Sequence, residues 1–297
     1  MRQHFVPRAY LKNFAIQKNN EFFVYVYDKR DNKNFQTNIK NIAVEKDIYT
    51  INNSDDLHLV DDENIWEHYY ADNIEPELSQ LTKHIISKCD NNMINDRSVI
   101  LDDELRIRIT LQLIYQIYRG KEALLEADNK RVELTEEIKN QAEELAIEFY
   151  GKNHDIDIKK YVNNDDLWRL AFAEASISGL AHKSLINRLM DRSWIIYKSK
   201  YDNAFVTSDN PVLLYDIKTE NTGLFKAGLG YDSTVLCYPI SPKLMISIYS
   251  NNMMFGQIFE MRNRICFLND NDKRFIDKMN ELQLKQCIRQ VYSKDKK

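Results

Sequence analysis

The chain has 297 residues, 43% of them hydrophobic and 29% charged, the balance of a folded globular protein and not of a disordered or fibrous one. A net charge of −4 and a pI of about 5.9 exclude nucleic-acid binding driven by bulk charge, so any such contact must come from a local basic patch. Seven glycines and five prolines are too few for a collagen-like or linker-dominated chain.

In chain order, Pro7–Phe14 reads as a short helix, with Pro7 suited to its first turn and Tyr10, Leu11 and Phe14 on one face. His4 precedes it, near the positive end of the helix dipole, which lowers an imidazole pKa. Glu21–Asp28 is aromatic and β-branched, Lys29–Asn34 is a polar turn and Phe35–Ile39 a second strand, so a hairpin is expected. Val44–Thr50 carries Glu45, Lys46 and Asp47 between apolar ends, and residues 51–62 read as an acidic surface loop. From Asn64 to Lys88, Ile65, Tyr69, Ile74, Leu78, Leu81 and Ile85 recur at helical spacing, with Pro76 as a kink or break. Glu67 and Glu75 lie on its other faces.

Asp102–Arg119 is the clearest helix. It is apolar on most sides, apart from a stripe of Arg108, Gln112, Gln116 and Arg119, which needs partners if buried. Glu122–Tyr150 is acidic and amphipathic, one or two surface helices. The next helix starts at a cap on Asp165 or Asp166 and runs to about Met190, with Gly179 implying close packing.

A strand-rich part follows. Trp194–Tyr197 and Val212–Tyr215 read as buried strands, with Phe205–Thr207 a shorter run between them. Ser208-Asp209-Asn210-Pro211 interrupts that run. Pro211 lacks a donor and extends Asn210, which sets Asp209 on a stiff turn at the mouth of a sheet. Val235–Tyr238 and Leu244–Tyr249 pair as a hairpin, Arg264–Leu268 adds a strand, and a last helix covers about Asp272 to Arg289 before Gln290–Ser293. This order is α+β: one domain over residues 1–297, with a helical block at roughly 64–190 inserted between two strand-rich parts. A lone hairpin is marginal. It is therefore expected to join the C-terminal strands in a mixed sheet packed against the helices.

Cys89, Cys237, Cys266 and Cys287 form no Cys-x-x-Cys pair and read as buried free thiols. The first residues lack the apolar stretch of a signal peptide, and no run approaches the roughly 20 apolar residues of a membrane span. A cytoplasmic location without membrane contact is expected. Phosphate-loop, Gly-x-Ser-x-Gly, Gly-x-Gly-x-x-Gly and His-Glu-x-x-His motifs are missing.

His4-Phe5-Val6-Pro7-Arg8-Ala9-Tyr10-Leu11-Lys12-Asn13-Phe14 resembles the opening of the domain of unknown function 4238 family, His-x-x-Pro-x-x-Tyr-Leu-x-x-Phe. The resemblance continues through Tyr25–Asp28, Glu45–Tyr49, Phe205–Val212 and Tyr238–Pro242, nearly the whole chain. Gln116-Ile117-Tyr118-Arg119 departs from it, since a more basic segment is expected in relatives. The family name carries no activity, so the resemblance implies a fold and a set of positions but no reaction.

The candidate catalytic residues are His4, Tyr10, Asp209 and Glu75. The candidate substrate-binding residues are Arg119, Gln112, Asn210, Ser208 and Lys46. Asp209 and Glu75 are also candidates to hold Mg or Mn. Carboxylates, a histidine and an arginine converging on one opening suit hydrolysis of a phosphodiester, with nucleic acid as the substrate class. Each residue has a plainer reading: His4 as a helix-cap contact, Glu75 on a solvated helix face, and Asp209 and Asn210 as turn formers. The alternative function is a binding or regulatory module whose acidic helical region contacts a protein partner. His4, Tyr10 and Asp209 are expected around one opening, backed by Gln112 and Arg119.

Overall fold

The computed structural model describes residues 1–54, 58–152, 154–155, 157–177, 180–253 and 260–296. Strand β1 (Arg2–His4) pairs antiparallel with β5 (Val44–Lys46) in a two-stranded ribbon. Between them lie α1 (Arg8–Leu11), continued by a 3₁₀ turn at Lys12–Phe14, and three further strands, β2 (Ile16–Lys18), β3 (Glu21–Asp28) and β4 (Lys33–Asn38). Asn19 and Asn20 both take positive φ between β2 and β3, the two-residue hairpin turn that asparagine tolerates best after glycine. β4 runs along one edge of β3. β2 and the last strand, β12 (Gln290–Ser293), share the other edge at opposite ends.

The helical block comprises α2 (Ile65–Tyr69), a π turn at Tyr70–Ile74, α3 (Glu75–Asp90), α4 (Asp103–Arg119), α5 (Lys121–Tyr150), α6 (Ile158–Val162), α7 (Asp165–Ile177) and α8 (Leu180–Met190). Pro76 sits in the first turn of α3, where its missing donor costs nothing, and the irregularity falls just before it as the π turn. α4 begins where the Asp102 side chain accepts the Leu105 N–H at 2.8 Å. The stretch read as a single helix to Met190 is two helices, and Gly179 between them lies outside the described residues. No helix among the described residues is long and apolar enough to cross a membrane.

The second large sheet has the order β11 (Arg264–Leu268), β6 (Ser193–Ser199), β10 (Leu244–Tyr249), β9 (Thr234–Ser241), β8 (Leu213–Asp216), with β11 parallel to β6 and the other pairs antiparallel. Both faces are covered. Trp194, Ile196, Leu236, Tyr238, Ile246 and Ile248 face the main core with α3 and α4. Val235, Cys237 and Met245 alternate to the other face, under α9 (Lys273–Gln286). Two-sided burial explains why these strands read as continuous apolar runs.

The N-terminal hairpin joins the C-terminal part, but through a narrower set of strands than expected. Its sheet takes β12 and the two residues of β7 (Thr207–Ser208), while the remaining C-terminal strands form the second sheet. The reason lies at Ser208–Pro211. This break lets one extended run end in the hairpin sheet and restart at β8 in the other.

Asp28 fastens the hairpin to β12. Its buried carboxylate accepts the Arg30 and Asp31 backbone N–H groups, Arg289 Nε at 2.7 Å and Gln290 Nε2 at 2.9 Å. Burial works to raise its pKa. The bonds from Gln290, Asp31 and Arg289 outweigh it and hold the carboxyl below the usual carboxylate range. The folded value lies under the unfolded value of roughly 3.9. This contribution is therefore complete above that pH and is lost as pH falls through the folded value. Asp28→Asn is expected to lower stability at pH 7 by about 1–2 kcal/mol, a figure discounted for solvent around Arg289. Urea denaturation at pH 7 and pH 3 should show the gap between parent and variant shrinking in acid. An unchanged gap contradicts this assignment.

Candidate functional site

Helix α4 presents its polar stripe to the N-terminal segment. Gln116 Nε2 donates to the Phe5 carbonyl at 3.0 Å, and Arg119 Nη2 donates to the His4 carbonyl and, at 3.2 Å, to Glu75 Oε1. Arg108, at the exposed end of the stripe, pairs with Glu77 at 2.8 Å. Gln112 is buried and its Oε1 has no partner. Arg119 is 1% exposed, and its guanidinium lies 4.5 Å from the centre of the Tyr70 ring. Burial alone would discourage its charge. Tyr49, Glu75, Tyr70 and Glu67 hold it protonated.

This guanidinium organises a group of titratable side chains. His4 bonds through its ring to the Ile39 backbone. Burial, then the charges of Arg8, Arg119 and Arg2, push its pKa down to about 4, so the imidazole is neutral at pH 7. Glu67 is shifted the opposite way: burial raises its carboxyl above the usual range, Arg119 opposes this and Glu75 adds to it. His4 Nε2, Glu67 Oε2, Tyr70 Oη, and Arg119 Nε and Nη1 are all buried without a hydrogen-bond partner. Such orphaned polar atoms are uncommon and call for an explanation. The π turn carries Tyr70 and ends at Glu75, and π irregularities recur at functional sites.

Beside this group is a cleft of about 330 Å³ lined by Arg8, Lys12, Lys40, Asn20, Asn38 and Glu75, with Ile39 in its wall. Glu75 and Ile39 link it to Arg119 and His4. The cleft has three cations and two carboxylates, Glu21 and Glu75, and Lys40 pairs with Glu21 at 3.2 Å, which leaves Arg8 and Lys12 as the cations of its rim without an ion pair to Glu21.

Ser208, Asp209 and Asn210 belong to a different network. Asp209, 4% exposed, accepts the backbone N–H groups of Ile288 at 2.9 Å, Arg289 at 2.7 Å and Gln290 at 2.9 Å. Burial holds its carboxyl above the usual range, against the opposing pull of those three bonds. Ser208 Oγ accepts Gln283 Nε2 at 2.6 Å, the Asn210 carbonyl accepts the same amide, and Asn210 Nδ2 donates to Glu122 Oε2 at 2.7 Å. Tyr10 is fully buried. It donates to the Pro239 carbonyl, meets Thr207 Oγ1 at 2.7 Å and stacks on Tyr238. Tyr10 thus ties α1 to the strand that leads into Ser208. Lys46 lines a separate, larger cleft.

The expected single opening is therefore divided. His4, Glu75 and Arg119 come together. Ser208, Asp209 and Asn210 fasten α9 and β12, and Asp209 and Glu75 share no partner. Among the described residues no group of three or more His, Cys, Asp or Glu side chains is placed to hold a metal ion. Arg8, Lys12 and Lys40 were not among the candidates. The spacing of Arg8 and Lys12 by four residues, one helical turn, is the signal that identifies two of them.

A family model described as a protein of unknown function (DUF4238) matches residues 2–297, and the chain belongs to that family. No curated protein and no solved structure matches the chain.

The Asp209 network generates a stability prediction. Asp209→Ala strips the acceptor from three buried backbone N–H groups and is expected to cost about 2–4 kcal/mol. Chemical denaturation of the purified variant measures it. A variant as stable as the parent contradicts the fastening role.

Proposed function

We propose that this DUF4238 protein is a cytoplasmic hydrolase of phosphodiesters, acting on nucleic acid at the Arg8–Glu75 cleft. The observation that carries the reading is a pair of carboxyl and imidazole groups pushed in opposite directions around one buried guanidinium: Glu67 up and His4 down, with Arg119 acting on both. Environments that split two pKa values in this way separate an acid from a base. Neutral His4 accepts a proton from the attacking water. The water oxygen bonds to phosphorus, the bond to the leaving oxygen breaks, and the carboxyl of Glu67, which burial raises above the usual range, supplies that oxygen's proton. The rim cations Arg8 and Lys12 receive the non-bridging oxygens, and buried Arg119 acts on the site through its charge. Glu75 positions Arg119. Asp209, Asn210, Ser208 and Tyr10 support the fold around the site. The four cysteines are free, which suits a reducing compartment.

A second reading, a protein-binding module, draws on one observation. The acidic helix α5 leaves Val132, Leu145, Phe149 and Tyr150 exposed, an uneconomical surface without a partner. It predicts no turnover.

Labelled RNA and DNA oligonucleotides, incubated with EDTA, Mg²⁺ or Mn²⁺, test the hydrolase reading. Cleavage is expected, with kcat/KM reduced about 10²–10⁴-fold in His4→Gln and in Glu67→Gln. Because His4 loses its proton above about pH 4, the acid limb of the rate profile should fall near pH 4 and not near 6.5. The basic limb should report Glu67. No cleavage in any condition, or cleavage undiminished in both variants, overturns the reading.

A further inference from the structure

The C-terminal half of α5 carries an apolar row that the fold leaves uncovered. Leu134, Ile138, Ala142, Leu145 and Phe149 follow at intervals of four, four, three and four residues, which places them on one side of the helix. α6 packs against α5, yet within 131–150 only Ala146 is buried. Leu134 is 38% exposed, Leu145 53% and Phe149 75%. A row at this spacing on a surface helix ordinarily faces the core of its own molecule. Here it runs for about 22 Å, at 1.5 Å per residue, and opens to solvent towards Phe149.

A second row lies beside it. Glu137, Gln141, Glu144 and Glu148 are spaced by four, three and four residues, a strip of the same pitch next to the apolar one. From Glu133 to Glu148 the helix has six glutamates and one lysine. Glu133 and Glu136 have cations of their own in Lys130 and Lys139, and Glu143 meets the His154 ring. Glu137 accepts the neutral Gln141 amide. Among the described residues Glu137, Glu144 and Glu148 have no ion pair, and all three are exposed.

The two rows together define a partner. Apolar side chains at helical spacing are covered best by the apolar side of another helix, and unpaired carboxylates alongside them call for cations. A second copy of this chain brings the same acidic row, so two α5 helices repel along it. A membrane surface attracts helices whose polar side is basic, the opposite of this one. We propose that the C-terminal half of α5 is the docking face for a basic amphipathic helix of a partner protein. The apolar side of that helix covers Leu134–Phe149, and its lysines or arginines meet Glu137, Glu144 and Glu148. The assignment rests on the protein-binding reading of α5, names the partner which that reading leaves open, and does not depend on hydrolysis.

The test uses the full-length protein and a fluorescein-labelled synthetic helix of about 18 residues, with leucines at helical spacing and lysines beside them. Two controls share its length: one has glutamate for every lysine, and the other has the same composition with the leucines scrambled. Anisotropy is expected to show saturable binding of the lysine helix, at a Kd about tenfold or more below those of both controls. Binding should weaken as salt rises. Phe149→Ala and the triple variant Glu137→Gln, Glu144→Gln, Glu148→Gln should each weaken it about tenfold, with unchanged circular dichroism because these side chains are exposed. Arg8→Ala, in the cationic cleft, should leave it unchanged. The proposal is overturned if the lysine helix does not bind, if the scrambled peptide binds as tightly, if either α5 variant retains parental affinity, or if Arg8→Ala abolishes binding. It is also overturned if sedimentation shows a dimer that Phe149→Ala dissolves, which assigns the face to a second copy. Binding to phosphatidylcholine–phosphatidylglycerol vesicles that Phe149→Ala abolishes assigns the face to a membrane and overturns it likewise. Equal binding of the glutamate helix overturns the basic partner and leaves the protein-binding reading standing.

Discussion

The buried guanidinium of Arg119 is the constraint on which the site depends. A charge removed from water is costly unless it is paired and bonded. Arg119 is paired through Nη2 and its ring contact with groups from three places in the chain, the His4 carbonyl, the Glu75 carboxylate and the Tyr70 ring, while Nε and Nη1 stay without a partner. Tyr49 adds a fourth tie by donating to the Arg119 carbonyl. With Gln116 on the Phe5 carbonyl, the last turns of α4 hold the β1 segment by its backbone. The same cation acts on its neighbours after burial, the larger cause. It helps keep His4 neutral and opposes the upward shift of Glu67, so one placement both ties down the N-terminal segment and shapes the electrostatics around it.

A second polar hub serves the other end of the molecule. Ser208–Asn210 sits where a single run passes from the hairpin sheet to the central sheet. Its groups accept from Gln283 and the backbone of Ile288–Gln290, and Asn210 donates to Glu122. Gln286 closes the arrangement by donating to the Val212 carbonyl at 2.7 Å. Asp28 adds the outer tie between β3 and β12. The chain's two ends thereby meet in one sheet, and Tyr10 links that sheet to α1, which lines the cationic cleft.

How much of this was legible follows from the kind of partner each residue has. The need for partners along Arg108–Arg119 could be read, because a polar stripe on an apolar helix has few alternatives. The partners could not, since two are carbonyls 111 and 115 residues away, and a backbone carbonyl leaves no mark in the sequence. Asp209 shows the same blindness. A carboxylate on a stiff turn between buried strands looks the same whether it faces a substrate or three backbone N–H groups. The α+β class, the Leu244–Tyr249 hairpin and a strand near Arg264 follow from periodicity, while the parallel pairing of that strand with β6 does not. The division into two sheets does not, because the joining strands Thr207–Ser208 and Gln290–Ser293 are too short to show a pattern. The π turn at Tyr70 was masked by Pro76, which drew the break to itself.

Native-state hydrogen exchange in Arg119→Met tests the central claim most directly. The substitution keeps an unbranched side chain but removes the donors to His4 and Glu75. The account predicts that amides of β1 and its partner β5 lose protection by a large factor while β9 and β10 keep theirs. Unchanged protection of β1 would contradict the claim that Arg119 holds the N-terminal segment and the site built on it.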